Sequence, residues 1–458
     1  MTEDVGAPDQ LLIRCADAGA TYLSWTWHRP PFTPNAKQLN PAHLAAALDL
    51  LDHALDPITG EKTPDAIRRA LTAGGFGDRT IERRMAATLT SAVLPEALLK
   101  ELRQHGRSGR QFVVRVTPSP QLARIPWELL IVDSDDLRLI EIASVRYDPP
   151  ATVHAQRSVS APRWSGARGL PALFAIDPRL PLRAADHGLS QTLGLEARRR
   201  FAARIELLAD SGRARYAEDE TFWPIGRDVT RNLLHRALTM VPRSRFFYFG
   251  HVSAARHEPG SASIHLSETM SSVWGMAAPL TRIAADGTPA SPHPDDHRPF
   301  SALDLLLGTS QSQDPLAWRQ FGADASALGH QLWPMPARVA LIACEGGVDY
   351  RSAETFGLVM AIIDSGAELV TTTRWTLPSD EVFVEAPTDT GSPATPTTDL
   401  ALAVDSAHET DNPVVEWAAW QRQQLERWRM TGALVHSPVV WASITHTFAP
   451  ARSRTPDA

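Results

Sequence analysis

Lysine is almost missing from this chain. Of the 45 basic side chains among 458 residues, only Lys37, Lys62 and Lys100 are lysine. A loop that cradles phosphate needs a Gly-Lys step, and these three follow Ala36, Glu61 and Leu99, so that nucleotide-hydrolysing motif is excluded. No Gly-x-Gly-x-x-Gly opens a helix, which removes the simplest dinucleotide reading. No cofactor is expected.

Cysteine is as scarce. Cys15 and Cys344 are the whole complement, too few for a disulfide framework or a Cys-rich zinc site. Each is then a small buried hydrophobe or a nucleophile. No run of about 18 apolar residues occurs, and the opening MTEDVGAPDQ is acidic with no apolar segment behind it. The chain reads as cytoplasmic, with no membrane partner. At a net charge of -7 it has no cationic field to hold nucleic acid, which is not expected as a partner either.

What is present is an ordinary globular composition, 43% hydrophobic and 21% charged, with length for two or three cores. Near the start, QLLIRCADAG and TYLSWTWHR alternate as strands do. Helical periodicity follows in PAHLAAALDLLDHAL, TPDAIRRALTAGG and PEALLKELRQHG. Residues 1–110 are therefore expected to form a smaller α+β module without visible chemistry, in which Cys15 takes a buried strand position. QFVVRVTPSP is a further strand, and a proline-rich, polar seam lies around 149–169.

From Leu170 the pattern changes. LPALFAIDP, SRFFYFG, ARVALIAC and AELVTTTRW are short apolar strands; GLEARRRFAARIELLAD, VTRNLLHRALTMV and AETFGLVMAIIDSG are helices between them. Such alternation predicts an α/β fold: a doubly wound, mostly parallel sheet with helices on both faces. Residues 286–299 and 385–413 lack periodicity and read as mobile loops. A helix, VVEWAAWQRQQLERWRM, and a last strand, VVWASITHTF, close the second domain, 111–448. The tail, 449–458, is expected to be disordered.

His251 and Cys344 each stand immediately after one of these strands. Reactive groups gather beyond the carboxyl ends of parallel strands, where loops converge while the sheet stays packed. SRFFYFG and ARVALIAC match in character, so they are expected to lie side by side and bring imidazole and thiol together. That pair suits amide cleavage, with a thiolate attacking and an imidazole moving its proton. Read from the residues alone, both also fit a bland role, a buried thiol and a satisfied polar group.

Further motifs decide between these. IPWELL (125–130) is followed by LRLIEIASVRYDPP; ALFAIDP has Glu196 in the next helix; FFYFGH ends at His251; SIHLSE precedes FSALDLLL. ARVALIACEGG holds Cys344, and SAETFGLVMAIIDSGAELVTTTRW and HSPVVWAS follow. In this order they resemble the CHAT family of caspase-like cysteine peptidases, over residues 111–448. The resemblance implies a caspase-like fold in which His251 and Cys344 are a catalytic dyad, with the backbone N–H groups of Val252 and Cys344 as oxyanion donors. Gly250 is expected to let the backbone turn. The family usually has glycine after the histidine, where this chain has Val252. The interval from His251 to Cys344 is also about twice the caspase spacing of about 50 residues, the excess lying at 269–299.

Resemblance further implies a protein substrate, a separately encoded activator or sensor as partner, and a bacterial conflict or cell-death setting. At the primary pocket, Glu345, Asp349 and Asp380 are candidates to hold a basic side chain, the preferred reading, whereas Arg351 and Arg374 suit an acidic one. Trp375 is expected to border the cleft and Trp441 to belong to the core. HPDDH (293–297) has the chemistry of a metal site but sits in a proline-rich stretch and reads as a solvated loop, so no metal is expected. A catalytically idle scaffold that binds a partner is the alternative, favoured only by Val252.

Overall fold

The computed structural model describes residues 8–55, 63–151, 157, 159, 163–214, 225–254, 260–282, 288, 290–343, 355–375, 377–383 and 394–450. It forms two compact units, Met1–Asp148 with Asn412–His446, and Pro149–Asp411 with Thr447–Ala458.

In the first unit, β1 (Gln10–Asp17) pairs antiparallel with β2 (Thr21–Trp27), which pairs antiparallel with β3 (Asn35–Gln38). Four helices follow: α1 (Pro41–Leu55), α2 (Thr63–Thr72), α3 (Arg79–Val93) and α4 (Glu96–Arg107). β4 (Phe112–Thr117) then lies parallel to β1, and β5 (Ala143–Tyr147) parallel to β4. The expected boundary at residue 110 falls between α4 and β4, inside this unit. α3 was not foreseen from the sequence; Asp78 caps it by accepting from the N–H of Thr80 and Ile81.

The second unit is built in chain order. β6 (Leu173–Ile176), α5 (Leu195–Asp210), α6 (Arg231–Thr239) and β7 (Arg245–Gly250) come first. Three two-residue strands, β8 (Val252–Ser253), β9 (Ser263–Ile264) and β10 (Phe300–Ser301), form a small antiparallel sheet with α7 (Ala302–Leu307) behind it. β11 (Arg338–Ala343), α8 (Thr355–Asp364) and β12 (Leu369–Thr373) complete the series. The strand order β12-β11-β7-β6 is parallel throughout. Every residue of β7 and β11 is buried, as their uninterrupted apolar runs require of strands covered on both faces. The chain is thus α/β, with mostly parallel strands alternating with helices.

One expectation is corrected. Residues 385–413 are not a loop throughout: Pro396–Ala407 is a helix, α9, whose Leu400, Ala401 and Val404 are fully buried. The run LALAV carries apolar residues at i, i+1 and i+4, which the surrounding Thr, Pro and Asp concealed. Its last turn and the residues just after it anchor the amino ends of both central strands. Arg245, first in β7, donates to the Asp405 carboxylate at 2.9 Å, and Arg338, first in β11, donates to the carbonyls of His408 and Thr410, both at 2.6 Å. Both arginines are buried, so the sheet is fastened at its amino edge and its carboxyl edge is left for chemistry. The expected strand VVWASITHTF is also shorter, Pro438–Trp441 being one helical turn before the strand Ile444–Phe448. Trp441 is fully buried, as expected of a core residue.

The expectations for residues 451–458, and for the part of the loop at 384–393, lie outside the described residues.

Candidate active site

β7 and β11 are neighbours in parallel register, with Ala343 opposite Gly250. The next residue on one strand is His251 and on the other Cys344. Cys344, with Glu345, Asp349 and Arg351, lies outside the described residues.

Gly250 is required for space, not for turning. It remains within β7, and its φ is not positive. A Cβ there would lie 2.7 Å from the Tyr248 hydroxyl and 3.3 Å from Pro178. Tyr248, two positions earlier on the same strand face, is fully buried, and its hydroxyl donates to the His251 carbonyl at 2.8 Å. The same oxygen accepts the His265 N–H at 3.2 Å. The glycine thus lets a tyrosine hold the backbone of the following histidine.

His251 is 4% exposed. Its Nε2 stands 2.5 Å from the carbonyl oxygen of Ser190. A carbonyl can only accept, so Nε2 carries the proton and, in the neutral ring, Nδ1 is the basic nitrogen. Among the described residues nothing pairs with that buried Nδ1. Burial holds the imidazole below its ordinary value, with the Ser190 carbonyl and the Asp177 carboxylate acting in the opposite sense. A neutral ring presenting an unpaired lone pair is the form a proton acceptor needs.

Ser190 is itself held. Asp177 follows β6, takes a positive φ of 49°, and is buried. Its carboxylate accepts from Thr192 N–H at 3.0 Å, Leu193 N–H at 3.3 Å and Arg198 Nη2 at 3.1 Å, while its own N–H donates to Phe249 O. Two parallel strands therefore converge here: the residue after β6 pins Thr192 and Leu193, and Ser190, just before them, pins the histidine after β7. Neither partner was found from the sequence. A backbone carbonyl has no signature, but the Asp of ALFAIDP, an acidic residue directly after an apolar strand, was a usable signal.

Val252 is half-buried, opposite Ile264. His265 N–H donates to His251 O at 3.2 Å, so by antiparallel alternation the Val252 N–H points away from β9. It is thus not used by the small sheet.

Two remaining candidates, Trp375 and Asp380, flank Leu377, whose N–H donates to Ala343 O at 3.1 Å. Asp380 accepts from the N–H of Thr397 and Thr398 and from the Thr398 hydroxyl, capping the first turn of α9; burial raises its carboxyl value. Trp375 is buried, with the Arg374 guanidinium 5.8 Å from its ring centroid. HPDDH divides: His293 and Asp295 are exposed, but Asp296 and His297 are buried, which corrects the reading of a solvated loop. Asp296 accepts from Arg183 Nε at 2.7 Å. His297 belongs to a second cluster, its Nε2 2.9 Å from His265 Nδ1 and its Nδ1 2.8 Å from Glu268 O. Among the described residues no group of three or more His, Cys, Asp or Glu is arranged to hold a metal ion, and no helix is long and apolar enough to cross a membrane.

Comparison with known proteins gives two kinds of match. No curated protein matches this chain. Among solved structures, a chain of the Saccharomyces cerevisiae separase–securin complex is similar, at 8% identity and a TM-score of 0.46, over 96% of this chain and 30% of that one. This chain therefore spans less than a third of that protein's length. The model of the CHAT domain matches residues 83–449, from α3 of the first unit through both central strands. With four fifths of its length so matched, the chain belongs to the CHAT domain family.

Proposed function

We propose that this protein is a caspase-like cysteine endopeptidase in which Cys344 is the nucleophile and His251 the general acid and base. The observation that carries the reading is the register of β7 and β11, in which the last matched pair, Gly250 and Ala343, immediately precedes the two reactive residues. The Ser190 carbonyl supports it further, because it fixes the tautomer with Nδ1 as base.

In this reading Nδ1 takes the Cys344 proton and the thiolate attacks the scissile carbonyl, forming the C–S bond. The N–H groups of Val252 and Cys344 stabilise the oxyanion. The imidazolium then returns its proton to the leaving amine as the C–N bond breaks. Water, deprotonated by the same nitrogen, attacks the thioester, and the thiolate leaves. The substrate is a protein, and the setting is a bacterial conflict or cell-death system in the cytoplasm, with a separately encoded activator.

A second reading, a partner-binding scaffold without turnover, draws on the burial of His251 and on Val252. A thiol-reactive peptide probe separates the two. Labelling lost in Cys344→Ala and sharply reduced in His251→Ala supports the peptidase; a thiol that ignores every peptide probe supports the scaffold.

A further inference from the structure

A cavity of about 590 Å³ opens beside His251. Two of its lining residues tie it to that histidine: Ser253 follows it by two positions, and Leu189 precedes the serine whose carbonyl holds Nε2. A third lining group, His265, has its ring centroid 6.3 Å from that of His251.

The small sheet supplies the polar wall. Ser253 lies opposite Ser263, and Ser263 opposite Ser301, so three hydroxyls stand in one row on one face. The neighbouring row, Val252, Ile264 and Phe300, packs with the hydrophobic core. Apolar surface comes from Met276, Pro279, Leu280 and Leu303.

Each of the three hydroxyls is already committed as a donor. Ser263 Oγ donates to Ser261 O at 2.6 Å, and Ser301 Oγ to the Asp304 carboxylate at 2.8 Å. The commitment of Ser253 follows from the imidazole chain. Glu268 O can only accept, so His297 Nδ1 carries a proton and its Nε2 accepts from His265 Nδ1–H. His265 Nε2 then has only a lone pair, and it lies 2.8 Å from Ser253 Oγ, which must donate to it. Ser253 and Ser263 therefore offer lone pairs to a ligand, whereas Ser301 Oγ also accepts the Asp304 N–H at 3.2 Å.

Among the described residues no Asp, Glu, Lys or Arg lines the cavity. A guanidinium or ammonium entering it would leave water and meet no counter-charge among those residues. A carboxylate would meet acceptors, with the half-buried His187 ring as the main donor. A neutral side chain with an apolar stem and N–H groups at its tip suits both walls.

We propose that this cavity is the specificity subsite for an uncharged amide side chain, glutamine or asparagine, next to the scissile bond, with Ser253 Oγ as the acceptor that reads it. The proposal rests on the peptidase reading, and it departs from the basic preference expected from the sequence.

The test uses the full chain and peptidyl acyloxymethyl ketones that differ in one side chain, Gln, Leu, Gly, Arg or Asp, with iodoacetamide as a thiol control. The Gln probe is expected to label Cys344 about tenfold faster than the Arg and Asp probes, a difference of about 1.4 kcal/mol. Ser253→Val should slow the Gln probe about tenfold and the Leu probe less than about twofold, while Ser253→Thr, which keeps the acceptor, preserves the preference. Ala277→Leu, which narrows the cavity from its apolar side, should slow Gln and Leu probes relative to Gly. Fastest labelling by Arg or Asp, or a Gln preference indifferent to all three variants, overturns the subsite and leaves the peptidase standing. Modification of Cys344 by iodoacetamide but by no peptide probe overturns the peptidase reading, and the subsite with it.

Discussion

Gly250 and Ala343 face each other as the last of six matched pairs between two parallel strands. The stagger is zero, so the two strands end at the same level. For a proton to pass between an imidazole and a thiol, that shared level matters more than the 92 residues of sequence between them, 252 to 343. His251→Ala and Cys344→Ala are each expected to lower kcat/KM on a peptide substrate roughly a thousandfold, and the double variant to lose little more, because the two act as one unit. Losses that multiply in the double variant would show that they act separately.

Gly250→Ala should be costly despite its small size. The added methyl meets the Tyr248 ring and hydroxyl at 2.7–2.9 Å within a packed strand pair, an overpacking cost of about 1–3 kcal/mol. Adding Tyr248→Phe removes the nearest atom and should recover part of the loss, as read from denaturant midpoints. Strictly additive effects would mean that the tyrosine is not the obstacle.

Asp177 makes no hydrogen bond to His251 and acts on it through its charge and through the segment that carries Ser190, which makes it a positioning residue. Asp177→Ala is predicted to reduce kcat about tenfold or more with KM changed less than about threefold, measured per active site titrated. A purely structural role would reduce the number of titratable sites and leave their turnover unaltered.

The imidazole pair beside the cavity links stability to acidity. Burial holds His265 well below the ordinary imidazole value and His297 down to about 4. In the unfolded chain both titrate near ~6.5, so below that pH the unfolded state binds more protons and stability falls, by roughly 1 kcal/mol per pH unit for each ring. For His297 the fall should flatten below about pH 4. Urea unfolding at a series of pH values from 7.5 to 5 tests this; His297→Asn should show the shallower slope, and an unchanged slope would assign the effect to other groups.

Asp380 should matter to folding alone. Its carboxylate accepts from two backbone N–H groups and a hydroxyl at the start of α9, so Asp380→Ala is expected to cost about 1–2 kcal/mol of stability. Side-chain preference in a peptide library should not change. A shift in preference toward acidic side chains would return Asp380 to the substrate pocket.

Much of this was legible in the sequence, and the reason is periodicity. After their opening arginines RFFYFG and RVALIA are apolar without interruption, as a covered parallel strand requires, and His251 and Cys344 come directly after them. What sequence could not give was contact made by the main chain: the Ser190 carbonyl beside His251 depends on where Asp177 pulls the segment. His297 was hidden by its setting, since HPDDH is polar and proline-rich, yet its last two residues are drawn inside by Arg183 and His265. α9 was masked for the same reason, five apolar letters among threonines and aspartates.

The oxygen that steadies His251 belongs to a peptide group, and that has a practical cost for anyone mapping this site by mutagenesis. Replacing Ser190 with any other amino acid leaves the C=O in place, so an alanine scan would pass over it in silence. Only chemistry on the chain itself reaches it: an ester in place of the 190–191 amide weakens the acceptor without touching a side chain.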